Sequence, residues 1–363
     1  MELILNFLIV ILCIFVMRKS SFTFDIASNF LSRRMGEGLK GPTINAIASS
    51  LPELMISSMF LFYFKDIEGF VGGFATIIGS SAFNIAVIPV VSFLSIYFID
   101  QKIKFELNKV IVKQDTIFLL TSIIIMLISI IFGVNIFFSI TLIFFYFLYI
   151  YFLIKKRTKI VKYEDSENII NNYKKTNYIT SIYNLNFFDL FFKGNISKTS
   201  SIFVLFSSVL IIGISCYYLV LATEKISHIF NINIFFGAFF IAAIASSIPD
   251  TILSVQDAKN KRFSDSFSNA YGSNVFDICI GIGLPVFFYS LIYGPIEIDV
   301  PVKRIGYLGN YFLDGNLIIW SLITLFIFTL SVSYIFYTKS INLRSVIKVL
   351  CLYLIFIFAL ILF

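Results

Sequence analysis

The sequence contains few charged residues and little of the chemistry on which soluble enzymes depend. Asp, Glu, Lys and Arg make up 13% of its 363 residues, whereas a soluble domain carries about 25%. It has one histidine and four cysteines, and the cysteines fall in apolar stretches without metal-ligand spacing. No nucleophile–base pair or metal–thiolate motif of a membrane enzyme is visible. With 58% hydrophobic residues, this is the composition of a membrane protein.

Long runs without charge predict the membrane spans. No charged residue occurs between Asp115 and Lys155, which leaves room for two crossings of about 20 residues each and a turn at Gly133-Val134-Asn135. The same reasoning along the chain predicts an all-α integral membrane protein with ten transmembrane helices. Their predicted spans are 2–17, 41–64, 69–98, 115–132, 136–154, 199–222, 234–256, 266–292, 316–337 and 346–363.

A polar segment at 155–198 divides the predicted helices into two sets of five. We expect a first half over 1–154, a solvated cytoplasmic loop over 155–198 and a second half over 199–363. Cytoplasmic segments of membrane proteins carry an excess of Lys and Arg. If the N-terminus lies outside, 24 of the 28 basic residues fall in cytoplasmic segments. This orientation predicts a multi-pass protein of the cell membrane, in contact with membrane lipid.

The net charge of +7 has a simple explanation in this topology. The basic residues are spread over five predicted cytoplasmic segments and do not form one motif, so no nucleic-acid partner is expected. Three acids are different, because Glu53, Asp250 and Asp277 lie within hydrophobic spans. No Lys or Arg lies at a comparable depth to neutralise them. Acids inside transmembrane segments are costly and commonly mark ion pathways.

These three acids belong to a sequence repeat. The letters ASSLPE at 48–53 are followed by GSSAFN at 79–84, and ASSIPD at 245–250 is followed by GSNVFD at 272–277. Each copy corresponds to two consecutive predicted helices, of which the first copy begins inside and the second begins outside. The two halves are therefore predicted to be inverted five-helix repeats, an arrangement that places a transport site near the middle of the membrane.

The repeated blocks bring together oxygen donors. Proline frees the carbonyl four residues before it, and an acid follows each proline. In the second block a hydroxyl and an amide or acid stand four residues apart, on one face of a helix. Oxygen clusters of this kind suit hard cations such as Ca²⁺, and Na⁺ is held similarly at broken helices. The candidate ligands are Glu53, Asp250, Ser49, Ser50, Ser80, Asn84, Ser246, Ser247, Ser273 and Asp277.

The two blocks resemble the alpha-repeats of the cation/calcium exchanger superfamily, over roughly 41–98 and 235–290. The resemblance implies a ten-helix fold and exchange of sodium for calcium by alternating access, with inorganic cations as substrates and no further cofactor. By motif position, Glu53 and Asp250 correspond to the central carboxylates, and the serines, Asn84 and Asp277 correspond to neighbouring ligands. A Glu in the first repeat with an Asp in the second is similar to the potassium-dependent branch, which implies potassium co-transport through Asp277.

Two alternatives remain open at this point. Proton/calcium exchange in the same fold would use protons to titrate the three acids, although the additional hydroxyl and amide ligands favour sodium. An ion channel is less consistent with two inverted repeats in one chain, because channels typically arrange their ligands in symmetric rings. We expect a monomer or a weak homodimer.

Overall fold

The computed structural model describes residues 2–31, 46–101, 105–157, 177–296, 317–338 and 341–362. In these ranges the chain is almost entirely helical. The first half contains six helices and the following segment contains two short ones. They are α1 (Glu2–Leu31), α2 (Ala46–Ser49), α3 (Leu51–Phe64), α4 (Ile67–Tyr97), α5 (Lys109–Ile131), α6 (Ile136–Arg157), α7 (Tyr178–Tyr183) and α8 (Phe187–Phe192).

The second half repeats this order of elements. Its helices are α9 (Lys198–Phe230), α10 (Ile234–Ser246), α11 (Ile248–Lys259), α12 (Phe263–Tyr293), α13 (Leu317–Thr338) and α14 (Leu343–Ile361). Two stretches have π-helical hydrogen bonding, Ala238–Ala242 within α10 and Asp277–Ile282 within α12. Such π segments inside α-helices are frequent at functional sites.

The helices are those of a multi-pass membrane protein. Eight of them are long and apolar enough to cross a bilayer, and the bent pair α10–α11 supplies a further crossing. Helix α3 is a shorter apolar helix, and residues 41–45 of its predicted span lie outside the described residues. The all-α membrane fold is confirmed, and the count of exactly ten spans stays a prediction. The predicted turn at Gly133-Val134-Asn135 is confirmed between α5 and α6, where Gly133 adopts φ 95°.

The ends of the helices define two opposite faces of the bundle. One face, here called the Lys65 face, includes the end of α3, where the Tyr289 hydroxyl donates to the Lys65 carbonyl at 2.9 Å. The turn between α5 and α6 ends on the same face, because Ile296 donates to the Val134 carbonyl at 2.8 Å. The opposite face, here called the Arg262 face, includes the turn between α11 and α12. There the Ser264 hydroxyl accepts from the Asn108 amide at 2.9 Å.

Helices α3 and α11 therefore run in opposite directions. Helix α3 ends at the Lys65 face, whereas its counterpart α11 ends at the Arg262 face. The same inversion holds for α4 and α12, which return from those faces through short turns. The order of elements and their directions agree with the inverted repeat predicted from the sequence blocks.

Three predicted helix boundaries are wrong, of which one is the end of α9, at Phe230 rather than at 222. The sequence predicts that helix α1 ends at 17, before the basic residues Arg18 and Lys19. In the structure it continues through both residues to Leu31, because it packs along the long helix α9. Helix α5 begins at Lys109 rather than at 115. Asp115, expected at a helix end, is instead fully buried one turn inside α5, and the Ser268 hydroxyl donates to it at 2.6 Å.

Helices α1 and α9 form a long antiparallel pair. The hydroxyls of Thr23 and Ser208 hydrogen-bond at 3.2 Å, and Met17 and Cys216 bring their sulfur atoms to 3.7 Å. Both helices lie across the broken helices of the two repeats, and α9 contacts α3 and α10. At 33 residues, α9 is about 50 Å long, so it must be tilted or extend beyond a hydrocarbon core of about 30 Å.

The predicted loop at 155–198 is not uniformly solvated. Residues 177–197 fold into α7 and α8, and Phe187 and Phe188 are buried against Ala27 and Phe30 of α1 and Val204 of α9. Because those partners belong to the α1–α9 pair, this part of the segment is attached to the pair. The rest of the predicted loop, 158–176, lies outside the described residues.

Gly79 permits a close approach between the two halves. A Cβ atom added at Gly79 would lie 2.7 Å from the Phe239 carbonyl oxygen and 2.7 Å from the Ala243 Cβ. Both neighbours belong to α10, next to its π segment. A backbone oxygen cannot move aside without displacing that helix, so glycine at this position sets the spacing between α4 and α10.

We expect Gly79→Ala to destabilise the folded protein by about 1–3 kcal/mol, the usual range for overpacking a tight contact. The measurement is thermal unfolding of the purified protein in detergent. Gly213→Ala is the matched control, because a Cβ at Gly213 in α9 meets nothing within 4 Å, and alanine has the higher helix propensity. Equal melting temperatures for both variants would contradict the assignment of Gly79 as an interhelix spacer.

Candidate functional site

Each repeat contains a helix that is broken just before its proline. Helix α2 gives way to α3 at Ser50, and α10 gives way to α11 at Ser247, where the two segments are bent by 40°. The prolines occupy the first turns of α3 and α11, where a missing backbone N–H costs nothing. Glu53 and Asp250 lie in those same first turns. Their negative charges are therefore favoured by the positive ends of two helix dipoles.

Three carboxylates meet at the centre of the bundle. Glu53 on α3, Asp250 on α11 and Asp277 on α12 each offer an oxygen, and these oxygens lie within 4.8 Å of one another. All three side chains are fully buried. In the part of the chain that the structure describes, the ion pairs lie elsewhere, at His228–Glu224 and Arg262–Asp257. The three charges therefore repel one another in a medium of low dielectric.

Serines of the second helix in each repeat bind the central acids in matching ways. The Ser80 hydroxyl donates to Glu53 Oε1 at 3.2 Å. In the other half, the Ser273 hydroxyl donates to Asp250 Oδ1 at 3.1 Å. These serines occupy equivalent positions of the repeat, so each acid is held by the same donor within its own half.

Serines at the helix breaks reach across to the other half. The Ser49 hydroxyl contacts the Asp250 carboxylate, and the Ser246 hydroxyl lies beside Glu53. The Ser247 hydroxyl is close to Ser80, with 3.0 Å between the two oxygens. The two halves are thus interleaved at the site, and neither half forms it alone.

A chain of amides fixes the orientation of Asn84. Its Nδ2 donates to Asp250 Oδ2 at 3.1 Å and to Asn274 Oδ1 at 3.0 Å, and Asn274 Nδ2 donates to the Ser81 carbonyl at 3.1 Å. A carboxylate and a backbone carbonyl can only accept hydrogen bonds. Both ends of this series of hydrogen bonds therefore require the amide orientations observed. Asn84 Oδ1 accepts none of these hydrogen bonds.

Several buried oxygens at the site accept no hydrogen bond from the described residues. They are Glu53 Oε2, Asn84 Oδ1 and both carboxylate oxygens of Asp277. Ser50 lies near Asp277 but outside hydrogen-bonding geometry. A buried polar atom left unsatisfied costs about 1–3 kcal/mol, and more if it is charged. A bound cation would satisfy all of these oxygens at once.

The donor set suits hard cations. It consists of carboxylate, amide and hydroxyl oxygens, which are the ligands of Ca²⁺ and related ions, and it contains no imidazole or thiolate among the described residues. The ten residues singled out from the repeat are all fully buried at this centre. Whether each one binds an ion is a proposal taken up below.

Four polar residues of this region were missed in the sequence reasoning. Asn274 orients Asn84. Ser57, one turn after Glu53, donates to the Gly281 carbonyl, and Ser254, one turn after Asp250, accepts from Asn269 at 3.1 Å. The repeat itself contains the signal, because Ser57 and Ser254 each follow the central acid by the same distance. Asn274 likewise aligns with Ser81.

A multi-pass helical protein with a buried centre of carboxylate, amide and hydroxyl oxygens belongs to the class of membrane ion transporters. The comparisons with known proteins narrow this class to one family. A family model described as "Sodium/calcium exchanger protein" matches residues 4–155 and 200–362. The chain belongs to this family, which is one of exchangers rather than enzymes.

Individual relatives are more distant. A sodium/potassium/calcium exchanger of Drosophila melanogaster, Nckx30C, is 45% identical over 65 residues, which is 17% of this chain and 7% of that protein. The chain thus covers a small part of this relative. Among solved structures, the H⁺/Ca²⁺ exchanger CAX has a TM-score of 0.69 at 16% identity, over 98% of this chain and 82% of that one. The sodium-calcium exchanger NCX_Mj has 0.57 at 19% identity, over 98% of both chains.

We expect Asn274→Leu to weaken calcium binding by about 5- to 100-fold, which corresponds to about 1–3 kcal/mol for an unsatisfied buried group. Without Asn274, the Asn84 amide loses the partner that holds its oxygen in place. Calcium titration of the purified protein measures the effect. Ser333→Ala is the control, because it removes one buried hydrogen bond, to Tyr271 at 3.0 Å. Equal losses of affinity in both variants would show that Asn274 acts only through stability.

Proposed function

We propose that the protein is a sodium/calcium antiporter that works by alternating access. The observation that carries the proposal is the cluster of Glu53, Asp250 and Asp277, three fully buried carboxylates within 4.8 Å that form no ion pair among the described residues. Such a cluster is stable only when cations or protons neutralise it. Membership of the sodium/calcium exchanger family supports Ca²⁺ and Na⁺ as those cations.

The geometry explains how two ions could compete. Glu53 and Asp250 come from different halves and face each other across the break points of α3 and α11. A calcium ion between them would be held by both carboxylates together with Asn84 and nearby hydroxyls. Sodium ions would bind to the same oxygens, with one carboxylate for each ion. Occupancy by one kind of ion therefore excludes the other, which is the requirement for exchange.

Asp277 gives a reason to include potassium among the transported ions. Its two oxygens accept no hydrogen bond from the described residues. The equivalent residue of the first half, Asn84, carries no charge and is held by Asn274. The two matching positions are thus chemically different. Similarity to a sodium/potassium/calcium exchanger over 65 residues supports the same view.

Alternating access requires part of the structure to move past the rest. The α1–α9 pair is the best candidate, since the two helices pack closely on each other and lie across the broken helices.

We place the Arg262 face in the cytoplasm, because Lys259, Lys261 and Arg262 lie there and cytoplasmic loops are enriched in basic residues. Both halves that form the site belong to one chain, and we propose a monomer or a weak homodimer.

The test is calcium-45 uptake into proteoliposomes loaded with sodium. We expect uptake to require internal sodium, and Glu53→Gln and Asp250→Asn each to reduce it to background. Removing either charge leaves calcium with too few anionic ligands. Asp257→Asn is the matched control, because Asp257 pairs with Arg262 at the end of α11, away from the centre. Full sodium-dependent uptake by either central variant would refute the proposed site.

We expect Asp277→Asn to retain sodium-dependent calcium uptake and to lose any stimulation by external potassium. The substitution makes the second half match the first, in which the equivalent residue is Asn84. Uptake is compared with potassium outside the vesicles and with an impermeant cation in its place. If the unaltered protein shows no response to potassium, potassium co-transport is ruled out and the sodium/calcium assignment is unaffected.

Proton/calcium exchange is the second candidate. The same observation favours it, because protons can also neutralise three buried carboxylates. A pH gradient imposed in sodium-free buffer distinguishes the two mechanisms. Calcium uptake driven by that gradient, and indifferent to sodium, would keep the three carboxylates as the site and replace sodium by protons.

A further inference from the structure

The two short helices α7 and α8 have an unusual distribution of residues. In α7 the large apolar side chains are turned outward: Ile179 is 81% exposed and Tyr178 is 70% exposed. Ser181, a polar residue of the same helix, is fully buried. A short helix in water normally buries its apolar side and exposes its polar side. The reverse arrangement is the one expected where the surroundings are apolar.

The buried side of the segment combines the side chains of Phe187 and Phe188 with polar groups that hydrogen-bond to one another. Asn186 accepts from the Asp189 amide and caps α8, and the Ser181 hydroxyl lies 3.3 Å from Asp189 Oδ2. Asn186 Nδ2 also donates to Asp189 Oδ2, at 3.1 Å. Ser181, Asn186 and Asp189 therefore share hydrogen bonds within the segment. Such bonds reduce the cost of placing polar groups near lipid.

The outward apolar surface of the segment is continuous with the lipid-facing side of α9. Phe191 and Phe192 of α8 both pack edge-to-face against Phe203 of α9, with ring centroids 5.4 Å apart in each case. Phe203 and Phe206 are themselves exposed on α9, one of the helices long and apolar enough to cross the bilayer. The apolar surface that begins on a membrane helix thus extends onto α8, and α7 packs on α8.

The segment also provides partners for Lys19, a basic residue within the apolar helix α1. The Lys19 ammonium lies 2.5 Å from Asn184 Oδ1, and it lies over the rings of Tyr183 and Phe15 at 4.8 Å and 5.5 Å from their centroids. A lysine inside an apolar helix needs such polar and cation–π partners if water is scarce. Lys193 and Lys198, by contrast, are exposed and can reach lipid headgroups.

We propose that residues 177–197 are inserted into the membrane interface on the Arg262 face, and that their partner is the phospholipid bilayer itself. The apolar side of α7 and Phe191 contact acyl chains, while Lys193 and Lys198 lie at the level of the headgroups. Because the segment is attached to α1 and α9, it forms a lipid-anchored foot on that helix pair. This inference does not depend on which ions the protein exchanges.

The sequence offers a direct test, because it contains a single tryptophan, Trp320. In a Trp320→Phe background, Ile179→Trp is reconstituted into vesicles containing phosphatidylcholine brominated on its acyl chains. We expect the bromolipid to quench its fluorescence strongly and iodide in the buffer to quench it little. Leu354→Trp, an exposed apolar position on α14, is the control for contact with lipid. Asn260→Trp, in the exposed turn after α11, is the control for contact with water.

Quenching of Ile179→Trp that resembles Leu354→Trp would support the proposal. Quenching that resembles Asn260→Trp would overturn it, and would indicate a water-exposed surface instead. A second measurement avoids the change at Trp320. In a Cys351→Ser background the remaining cysteines are buried, so Ile179→Cys can be reacted with a charged maleimide in permeabilised vesicles. Protection of Ile179→Cys, compared with rapid labelling of Asn260→Cys, is the expected result, and equal labelling would overturn the proposal.

Discussion

The structure depends on one electrostatic constraint: three carboxylates are buried together without a basic partner in the described part of the chain. Among the described residues this is the one such group of three acids, and much of the surrounding structure reduces its electrostatic cost. The breaks at Ser50 and Ser247 place helix N-termini next to Glu53 and Asp250, and hydroxyls from both halves surround them. These groups lessen the repulsion but leave several oxygens unsatisfied. The remainder of the cost is left for an ion to remove, which makes the packing of the whole centre sensitive to occupancy.

The interleaving of the two halves determines which movements would disturb the centre. Ser49 of the first half contacts Asp250 of the second, and Asn84 does the same with its amide. A displacement of one half relative to the other would break these contacts together. Ser57 and Ser254 lie one turn beyond the acids, toward the Lys65 face and the Arg262 face respectively. Each is hydrogen-bonded to a neighbouring element, and the ten candidate ligands are fully buried in this conformation.

Much of this arrangement was predictable from the sequence because it is repeated there. The inverted blocks identify the helices that meet and the oxygens they contribute, and charge-free runs identify most spans. Other features depend on contacts that no local pattern records. The role of Asn274 follows from its distance to Asn84, 190 positions earlier in the chain. The extension of α1 past Arg18 and Lys19 depends on packing against α9 and α7. In the sequence Asp115 resembles the end of a helix, because Lys113 and Gln114 precede it. Its burial depends on the fold, in which Ser268 donates a hydrogen bond to it.

The difference between Asn84 and Asp277 has a consequence in simple arithmetic of charge. If both positions were neutral, the centre would hold two negative charges, and one divalent ion would balance it. With Asp277 the number is odd. Divalent ions alone cannot bring an odd charge to zero, whatever their number. A neutral, fully loaded centre therefore needs at least one monovalent companion, whether sodium, potassium or a proton. In the exchange proposed above, a single oxygen in place of a nitrogen thus makes a neutral, calcium-loaded centre a mixed-ion state.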